Sequence, residues 1–208
     1  IPGFDPARLP PFTHLETTSE TARQLDREAL APEIVTRRTV WLVHPFGYAL
    51  QVARKLLETV EIALWGTLLA SLLGLPLGLA GARPLVGTGA IRQAARGLAA
   101  VLRSVPELLS ALFLVAAFGF GPPAGILALG LHAAGFLGRF HADAIEDTNQ
   151  APVRALQAAG AGRLATFRFA LLPQVRAPFV SSTFYILDRN VRMATVVGLV
   201  GAGGVGQE

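Results

Sequence analysis

The run IALWGTLLASLLGLPLGLAGA, residues 62–82, lies between Glu61 and Arg83 and contains no charged side chain. As an α-helix rising about 1.5 Å per residue, it would span roughly 32 Å, the thickness of one bilayer core. Gly74 and Gly78 are four residues apart, a spacing that lets helices approach closely in lipid. The run therefore predicts a transmembrane helix that packs against other helices.

The composition of the whole chain also indicates a membrane protein. Hydrophobic residues make up 52% of the 208 residues and charged residues only 15%, whereas soluble domains average about a quarter charged. The net charge is +4, and 17 of the 18 basic residues are arginines. They lie at the ends of apolar runs, without the interleaved aromatic residues of a nucleic-acid binder. The chain has no cysteine, which excludes zinc–thiolate sites.

The polar part of the chain is residues 1–57. The stretch TSETARQLDREALAPEI, residues 18–34, has the composition of a helix that ends near Pro32. We therefore predict an extracytoplasmic loop with one amphipathic helix over residues 1–57. A transmembrane domain over residues 58–208 is expected to follow.

Two further spans are predicted at residues 98–118 and 124–140, with the turn sequence GFGPP between them. Arg103 and Glu107 lie in the first of these spans, four residues apart, so they can pair on one helix face. Charges at this depth usually face a bundle interior or water. His132 lies in the second span, where we expect a hydrogen bond that packs helices rather than a ligand.

A fourth apolar segment follows Pro178 and carries four polar or charged residues, Asp188, Arg189, Asn190 and Arg192. An ionisable group at membrane depth costs about 2.5–3.5 kcal/mol on insertion scales, so such groups persist when they are paired, solvated or functional. Asp188 and Arg192 form an i, i+4 pair of favourable polarity. Two interpretations stay open: a self-neutralising pair at the membrane interface, or a lining of the transport path.

The segment between the third and fourth spans contains PVRALQAAGAGRLATFRFALLPQVRAP, residues 152–178, with four arginines and no acidic residue. Because loops rich in arginine lie on the cytoplasmic side, this segment and residues 83–96 are predicted to be cytoplasmic. Residues 141–149, HADAIEDTN, open this loop as an exposed acidic helix end. They lack the alternating oxygen ligands of a calcium loop, and we predict no metal site.

A soluble enzyme of the Rossmann class is the rival from another class, because Gly201, Gly203 and Gly206 spell GxGxxG. That fingerprint requires a strand before it, a helix after it and an acidic residue about twenty positions on. The sequence upstream predicts long apolar helices without an alternating βαβ pattern. Glycine-rich backbone in a helix bundle is therefore the better interpretation.

The spacing within residues 152–178 resembles the EAA loop of ABC-importer permeases. Gly160 follows Ala155 by five residues, and the pair Leu172–Pro173 begins twelve residues after Gly160. The chain departs from the family pattern at three positions, where the family has Glu, Ala and Ile: Arg154, Leu156 and Ala170. An ordinary helical hairpin that turns at Gly160 is the alternative explanation of the same spacing.

Several stretches together are similar to the phosphonate-importer permease family. They are RSVPELL (103–109), GFGPPAGILALGLHAAGFLGRF (119–140), DAIED (143–147), the EAA-like loop and NVRMATVVGLVGAGGVG (190–206). The resemblance covers the chain from about Thr59 onward. Members of that family carry additional spans at both ends, so we expect the sequence to be a fragment.

The resemblance implies an all-α, polytopic transmembrane helix bundle of the type I ABC-importer permease kind, with a cytoplasmic coupling loop at residues 141–178. The chain would be a transport subunit, not an enzyme, because it lacks the GxxxxGK[ST] phosphate loop. The implied residues fall in two sets. The coupling set is Arg154, Ala155, Gly160, Arg163, Leu172 and Pro173, and the substrate-path set is Arg103, Glu107, Asp188, Asn190 and Arg192.

The implied partners are an ATPase subunit that docks on the coupling loop, a periplasmic binding protein, a second permease subunit and the lipid bilayer. No cofactor and no nucleic acid are expected. The implied location is the bacterial inner membrane, and the implied substrates are phosphonates or related phosphorus oxyanions. Two alternatives stay open: a permease for another nutrient such as methionine, and a membrane scaffold without transport activity.

Overall fold

The computed structural model describes residues 14–25, 32–43, 45–87 and 89–207. They fall into two compact units, residues 1–54 and residues 55–208. The first unit contains two strands and the start of a long helix. The second unit is helical throughout its described part.

The first unit contains an antiparallel hairpin of β1 (His14–Leu25) and β2 (Pro32–Val43). The predicted amphipathic helix at residues 18–34 is therefore wrong where the structure describes it; residues 26–31 and the first 13 lie outside the described part. Six of the twelve residues of β2 are valine, isoleucine or threonine, whose stiff χ1 angles favour the pleated strand. Pairing with this β-branched strand outweighs the helical composition of residues 18–25.

The first long helix, α1 (Pro45–Gly81), is 37 residues long and contains residues 62–81 of the uncharged run. A short helix, α2 (Arg83–Val86), follows. Among the described residues, α1 and the later helix α5 (Pro122–Glu146) are long and apolar enough to cross a membrane. The spans predicted at residues 62–82 and 124–140 are thereby confirmed in helical form and composition.

The span predicted at residues 98–118 is broken. It consists of α3 (Ala90–Ser104) and α4 (Glu107–Phe118), whose axes differ by 84°. Pro106 explains the break, because proline disfavours the helical conformation of the residue before it. Val105 accordingly adopts an extended conformation, with φ −83° and ψ 124°. Counted as one bent span, the pair raises the number of candidate spans in the described residues from two to three.

The remaining elements form the later part of the predicted coupling loop and the segment that follows it. They are α6 (Gln150–Ala158), α7 (Arg163–Thr166), a π-helical turn (Phe167–Leu171), α8 (Leu172–Gly198) and a final 3-10 turn (Val205–Gln207). Helix α8 has 27 residues but is not among those apolar enough to span. Its charged side chains are the reason, so composition does not support the predicted fourth span.

Helix α5 packs against α1 through the predicted glycine spacing. A Cβ atom built on Gly74 would lie 2.7 Å from Cβ of Leu137, and one on Gly78 would lie 2.5 Å from Cβ of His141. Since real Cβ atoms do not approach so closely, only glycine permits this helix contact. Helix α5 also contacts α3, α4 and α8, which makes it the central element of the second unit.

The glycine-rich end of the chain folds back on the bundle. Gly201, Gly203 and Gly204 have φ values of 90°, 93° and 80°, a region that favours glycine. The backbone N–H of Val205 donates to the hydroxyl of Thr59 at 2.9 Å. Helix α8 stands where a Rossmann site would need a strand, so the dinucleotide-binding alternative is not supported.

Candidate functional site

The coupling surface, defined here as residues 149–173, begins with a capped helix. The side-chain oxygen of Asn149 accepts a hydrogen bond from the backbone N–H of Ala151 at 2.9 Å, the usual role of asparagine at a helix N-cap. The Gln174 amide accepts from the Asn149 N–H at 3.1 Å and donates to the carbonyls of Asn149 and Ala170 at 3.3 and 2.7 Å. Gln174 thus ties the start of α6 to the start of α8.

Helix α6 ends in a two-bond turn at Gly160. The N–H of Gly160 donates to the carbonyl of Gln157 at 3.0 Å, and the N–H of Ala161 donates to that of Leu156 at 2.9 Å. These are the two bonds of a Schellman motif, which requires a left-handed residue. Gly160 supplies it with φ +83°. The predicted sharp turn at Gly160 is confirmed.

The chain then passes through α7 and the π-helical turn into α8. The N–H of Leu172 donates to the carbonyl of Phe167, five residues back, the bonding pattern of a π-helix. Leu172 and Pro173 form the first turn of α8. Ala170 and Leu171 are buried, so one side of this segment is anchored in the bundle.

The other side of the coupling surface is exposed. Helix α6, which carries Arg154 and Ala155, has no buried residue. The apolar side chains of Leu164 and Phe169 are 80% and 69% exposed, and Arg163 is exposed beside them. Among the described residues, neither Arg154 nor Arg163 forms an ion pair. Exposed apolar and basic side chains are typical of a surface that binds another protein.

A second candidate feature lies inside the bundle. The ion cluster, defined here as Glu107, His132 and Arg189, joins α4, α5 and α8. One Glu107 carboxylate oxygen contacts Nη2 of Arg189 and also lies 2.9 Å from Nε2 of His132. The side chain of Glu107 is only 6% exposed. The Arg189 guanidinium also lies 4.7 Å above the ring of Phe136, a favourable cation–π distance.

The ion cluster is attached to the break between α3 and α4. Nδ1 of His132 donates to the carbonyl of Val105 at 2.9 Å, and Glu107 is the first residue of α4. The prediction that His132 packs helices through hydrogen bonds is confirmed. The prediction that Arg103 pairs with Glu107 is wrong, because Pro106 places them on differently oriented helices and Glu107 pairs with Arg189.

The charged residues of α8 point in different directions. Asp188 and Arg192 form the predicted ion pair at 2.8 Å, with side chains 64% and 66% exposed. Asn190 is buried and donates from Nδ2 to the Thr67 hydroxyl at 3.0 Å, which ties α8 to α1. Of the five predicted path residues, Glu107 and Asn190 are buried in helix contacts and Arg103 is exposed on α3. The structure does not bring the five together, and their role in a path stays a prediction.

The acidic end of α5 is not simply solvated, which corrects the prediction for Glu146. One carboxylate oxygen of Glu146 accepts from the backbone N–H of Arg83 at 2.9 Å and from Nη2 of Arg96 at 2.6 Å. Nε of Arg96 donates to the Gly81 carbonyl at 2.9 Å. Glu146 therefore joins α1, α2 and α3 next to the coupling surface. The described residues contain no acidic or histidine cluster suited to a metal ion.

Sequence reasoning missed Arg189, Gln174 and Glu146 as site residues. Arg189 lies 82 positions from Glu107, and no spacing rule connects residues so far apart. Gln174 gave a weak signal, because it directly follows the Leu172–Pro173 pair. Glu146 could have been linked to the arginines of residues 83–96 only after α5 was known to be central.

The chain is similar to a known protein family and to permeases with named substrates. Residues 74–208 match the model of a family described as binding-protein-dependent transport system inner membrane component. A putative phosphite transport system permease protein of Stutzerimonas stutzeri is 45% identical over 208 residues, which are 100% of this chain and 80% of that protein. A phosphate-import permease protein of Mycolicibacterium smegmatis is 41% identical over 149 residues, 72% of this chain and 28% of that protein.

A solved structure shows a similar fold. The inward-facing MetNI methionine ABC transporter is 26% identical, with a TM-score of 0.67 over 75% of this chain and 77% of that chain. The predicted fold class, a transmembrane helix bundle of the ABC-importer permease kind, is confirmed.

Proposed function

Because the chain belongs to the family of binding-protein-dependent transport system inner membrane components, we propose that it is the permease subunit of an ATP-driven importer. Its substrates are phosphonates, phosphite or related phosphorus oxyanions. The observation that carries the proposal is the similarity over the full chain to a putative phosphite permease. A methionine permease is the weaker alternative, because the methionine transporter is the more distant relative.

The coupling surface is the proposed docking site for an ATPase subunit. Arg154 and Arg163 supply positive charge at the two sides of the Gly160 turn, and Leu164 and Phe169 supply apolar contact area. Exposed arginine and aromatic side chains are favoured anchors of protein interfaces. The ATPase subunit hydrolyses the nucleotide, since the sequence has no GxxxxGK[ST] phosphate loop.

The proposed orientation places the coupling surface and residues 83–96 in the bacterial cytoplasm. The turn at residues 119–123 and the polar residues 1–57 then lie on the outer side. The chain crosses the inner membrane several times and pairs with a second permease subunit, and a periplasmic binding protein delivers the substrate. Arg192, which is exposed on α8, offers charge and hydrogen-bond donors to a phosphorus oxyanion.

The proposed mechanism is alternating access. Nucleotide binding closes the ATPase subunits, the closure moves α6, and the bundle opens to the outer side. Substrate from the binding protein enters the path between the two permease subunits. Hydrolysis returns the coupling surface and opens the path to the cytoplasm.

The experiment that tests the proposal is uptake by the complete importer in proteoliposomes, with its own ATPase and binding protein. We expect ATP-dependent uptake of labelled methylphosphonate or phosphite, and none when the ATPase subunit is omitted. Unlabelled methionine should not compete. Uptake of methionine without any phosphorus oxyanion would refute the substrate class, and failure of the ATPase to associate would refute the permease role.

A further inference from the structure

We infer that Arg189 and Glu107 are positioning residues, through which a movement of the coupling surface reaches the broken helix pair α3–α4. The inference rests on the proposed function, because it concerns how ATPase movement is converted into opening of the path. The residues act through their contact with each other, and neither needs to touch the substrate.

The first link runs from the coupling surface to Arg189. Gln174 bonds both the start of α6, at Asn149, and the preceding turn, at Ala170, so α6 and the first turns of α8 move together. Helix α8 extends from Leu172 to Gly198 as one helix, with Pro178 inside it. Arg189 lies on it about 26 Å beyond Leu172, at 1.5 Å per residue.

The second link runs from Arg189 to the break. The Arg189 guanidinium contacts the Glu107 carboxylate, and Glu107 begins α4 directly after Pro106. His132 joins the break to the ion pair, since Nδ1 donates to the Val105 carbonyl at 2.9 Å and Nε2 lies 3.0 Å from Nη2 of Arg189 and 2.9 Å from the Glu107 carboxylate. A shift of α8 along its axis therefore acts on the hinge of a bent pair through one ion pair.

The bonding of this ion pair favours a switching role over a purely stabilising one. The second carboxylate oxygen of Glu107 and Nη1 of Arg189 are both buried without a hydrogen-bond partner. A buried ion pair stabilises a fold only when its remaining hydrogen-bonding groups are satisfied. A pair with an unused donor and an unused acceptor can adopt a second arrangement, which is the property a two-state element needs.

The nearby charged groups of α8 do not provide this link. Asp188 and Arg192 pair with each other on the exposed side of the helix, and buried Asn190 bonds to Thr67 of α1. Of these groups and Arg189, only Arg189 reaches the break between α3 and α4.

The test uses the complete importer in proteoliposomes and measures the substrate imported per ATP hydrolysed. Glu107→Gln and Arg189→Gln are compared with the double variant and with Arg139→Gln. Arg139 pairs with Asp143 four residues later on the same helix, so this control removes an arginine from an ion pair made within one helix. Removing one partner of a buried pair can unfold the chain, whereas removing both charges is far better tolerated.

We expect the double variant to bind the ATPase and hydrolyse ATP normally, while substrate imported per ATP falls about fivefold or more, the usual lower range of coupling between sites. Arg139→Gln should keep the parent ratio. If the double variant imports substrate with the parent ratio, the pair is merely structural and the inference is overturned. Failure of the proposed function would look different, since the parent importer itself would then take up no phosphorus oxyanion; the same ratio can be measured with the solute it does transport.

Discussion

A serine placed at Gly160 should weaken ATPase docking, whereas a serine placed at Gly162 should not. Both glycines lie in the coupling surface, and no atom lies within 4 Å of a Cβ built on either. They differ in backbone conformation, because Gly160 has φ +83° and Gly162 has φ −68°. The same substitution thus separates backbone strain from any effect of the new side chain.

The expected magnitude follows from that difference. A side chain in the left-handed region costs roughly 1–2 kcal/mol, and the open space around Gly160 adds no steric clash. If the ATPase binds only the turned form of the loop, its dissociation constant rises roughly 5- to 30-fold in Gly160→Ser. In Gly162→Ser the new hydroxyl occupies the N-cap of α7, a favoured position for serine, so the constant should stay at the parent value.

The assay is a binding titration of the ATPase subunit against the full permease in detergent, with a melting curve for each variant. The melting temperatures should be equal, because the turn is exposed and distant from the buried contacts between α1 and α5. Equal weakening of ATPase binding by both serines would refute the argument from backbone conformation. Unchanged binding in Gly160→Ser would refute the assignment of this loop as the docking site.

Three further predictions concern helix contacts. Gly78→Val should lower the free energy of unfolding by about 1–3 kcal/mol and the melting temperature with it, because a Cβ at this position would lie 2.5 Å from that of His141. Asn190→Ala should cost about 1 kcal/mol in unfolding free energy, since it removes the buried hydrogen bond to Thr67. Gln174→Leu should reduce ATPase affinity with little change in melting temperature, because it frees the start of α6 while the core contacts stay intact.

Each of these predictions has a matched control. Gly97→Val places the same side chain where no atom lies within 4 Å, and an equal loss of stability there would contradict the close-packing argument. Ser182→Ala removes a hydrogen bond made only within α8, to Phe179, and should cost less than Asn190→Ala. Gln174→Glu keeps the acceptor for the Asn149 N–H but loses both donors, so its affinity should fall between those of the parent and Gln174→Leu. An affinity for Gln174→Leu equal to the parent value would show that α6 does not depend on this side chain.

Features set by local chemistry could be predicted from the sequence. The uncharged run that forms the C-terminal half of α1 and the turn at Gly160 each depend on residues close in the chain. The Asp188–Arg192 pair was predictable for the same reason, since four residues on one helix fix its geometry. The hairpin was missed because strand pairing depends on a second segment whose β-branched content was not weighed.

The ion cluster could not be predicted, because its members come from three helices. Arg103 lies four residues before Glu107, and i, i+4 pairing on one helix therefore predicted it as the partner. Pro106 was visible in the sequence, but membrane helices tolerate proline when neighbouring groups satisfy the freed carbonyls. Only the packing of the helices beside the break shows that Glu107 contacts His132 and Arg189 and not Arg103.

The π-helical turn at Phe167–Leu171 sets the rotational phase between the ATPase-facing loop and α8. Because successive residues of a helix are about 100° apart around its axis, deleting one residue from this turn would restore regular α-helix and rotate α7 by about that angle. The buried contacts of α8 beyond Leu172 would not change. A change of one residue in this turn is therefore enough to present a differently oriented docking surface to the ATPase, while the membrane bundle stays the same.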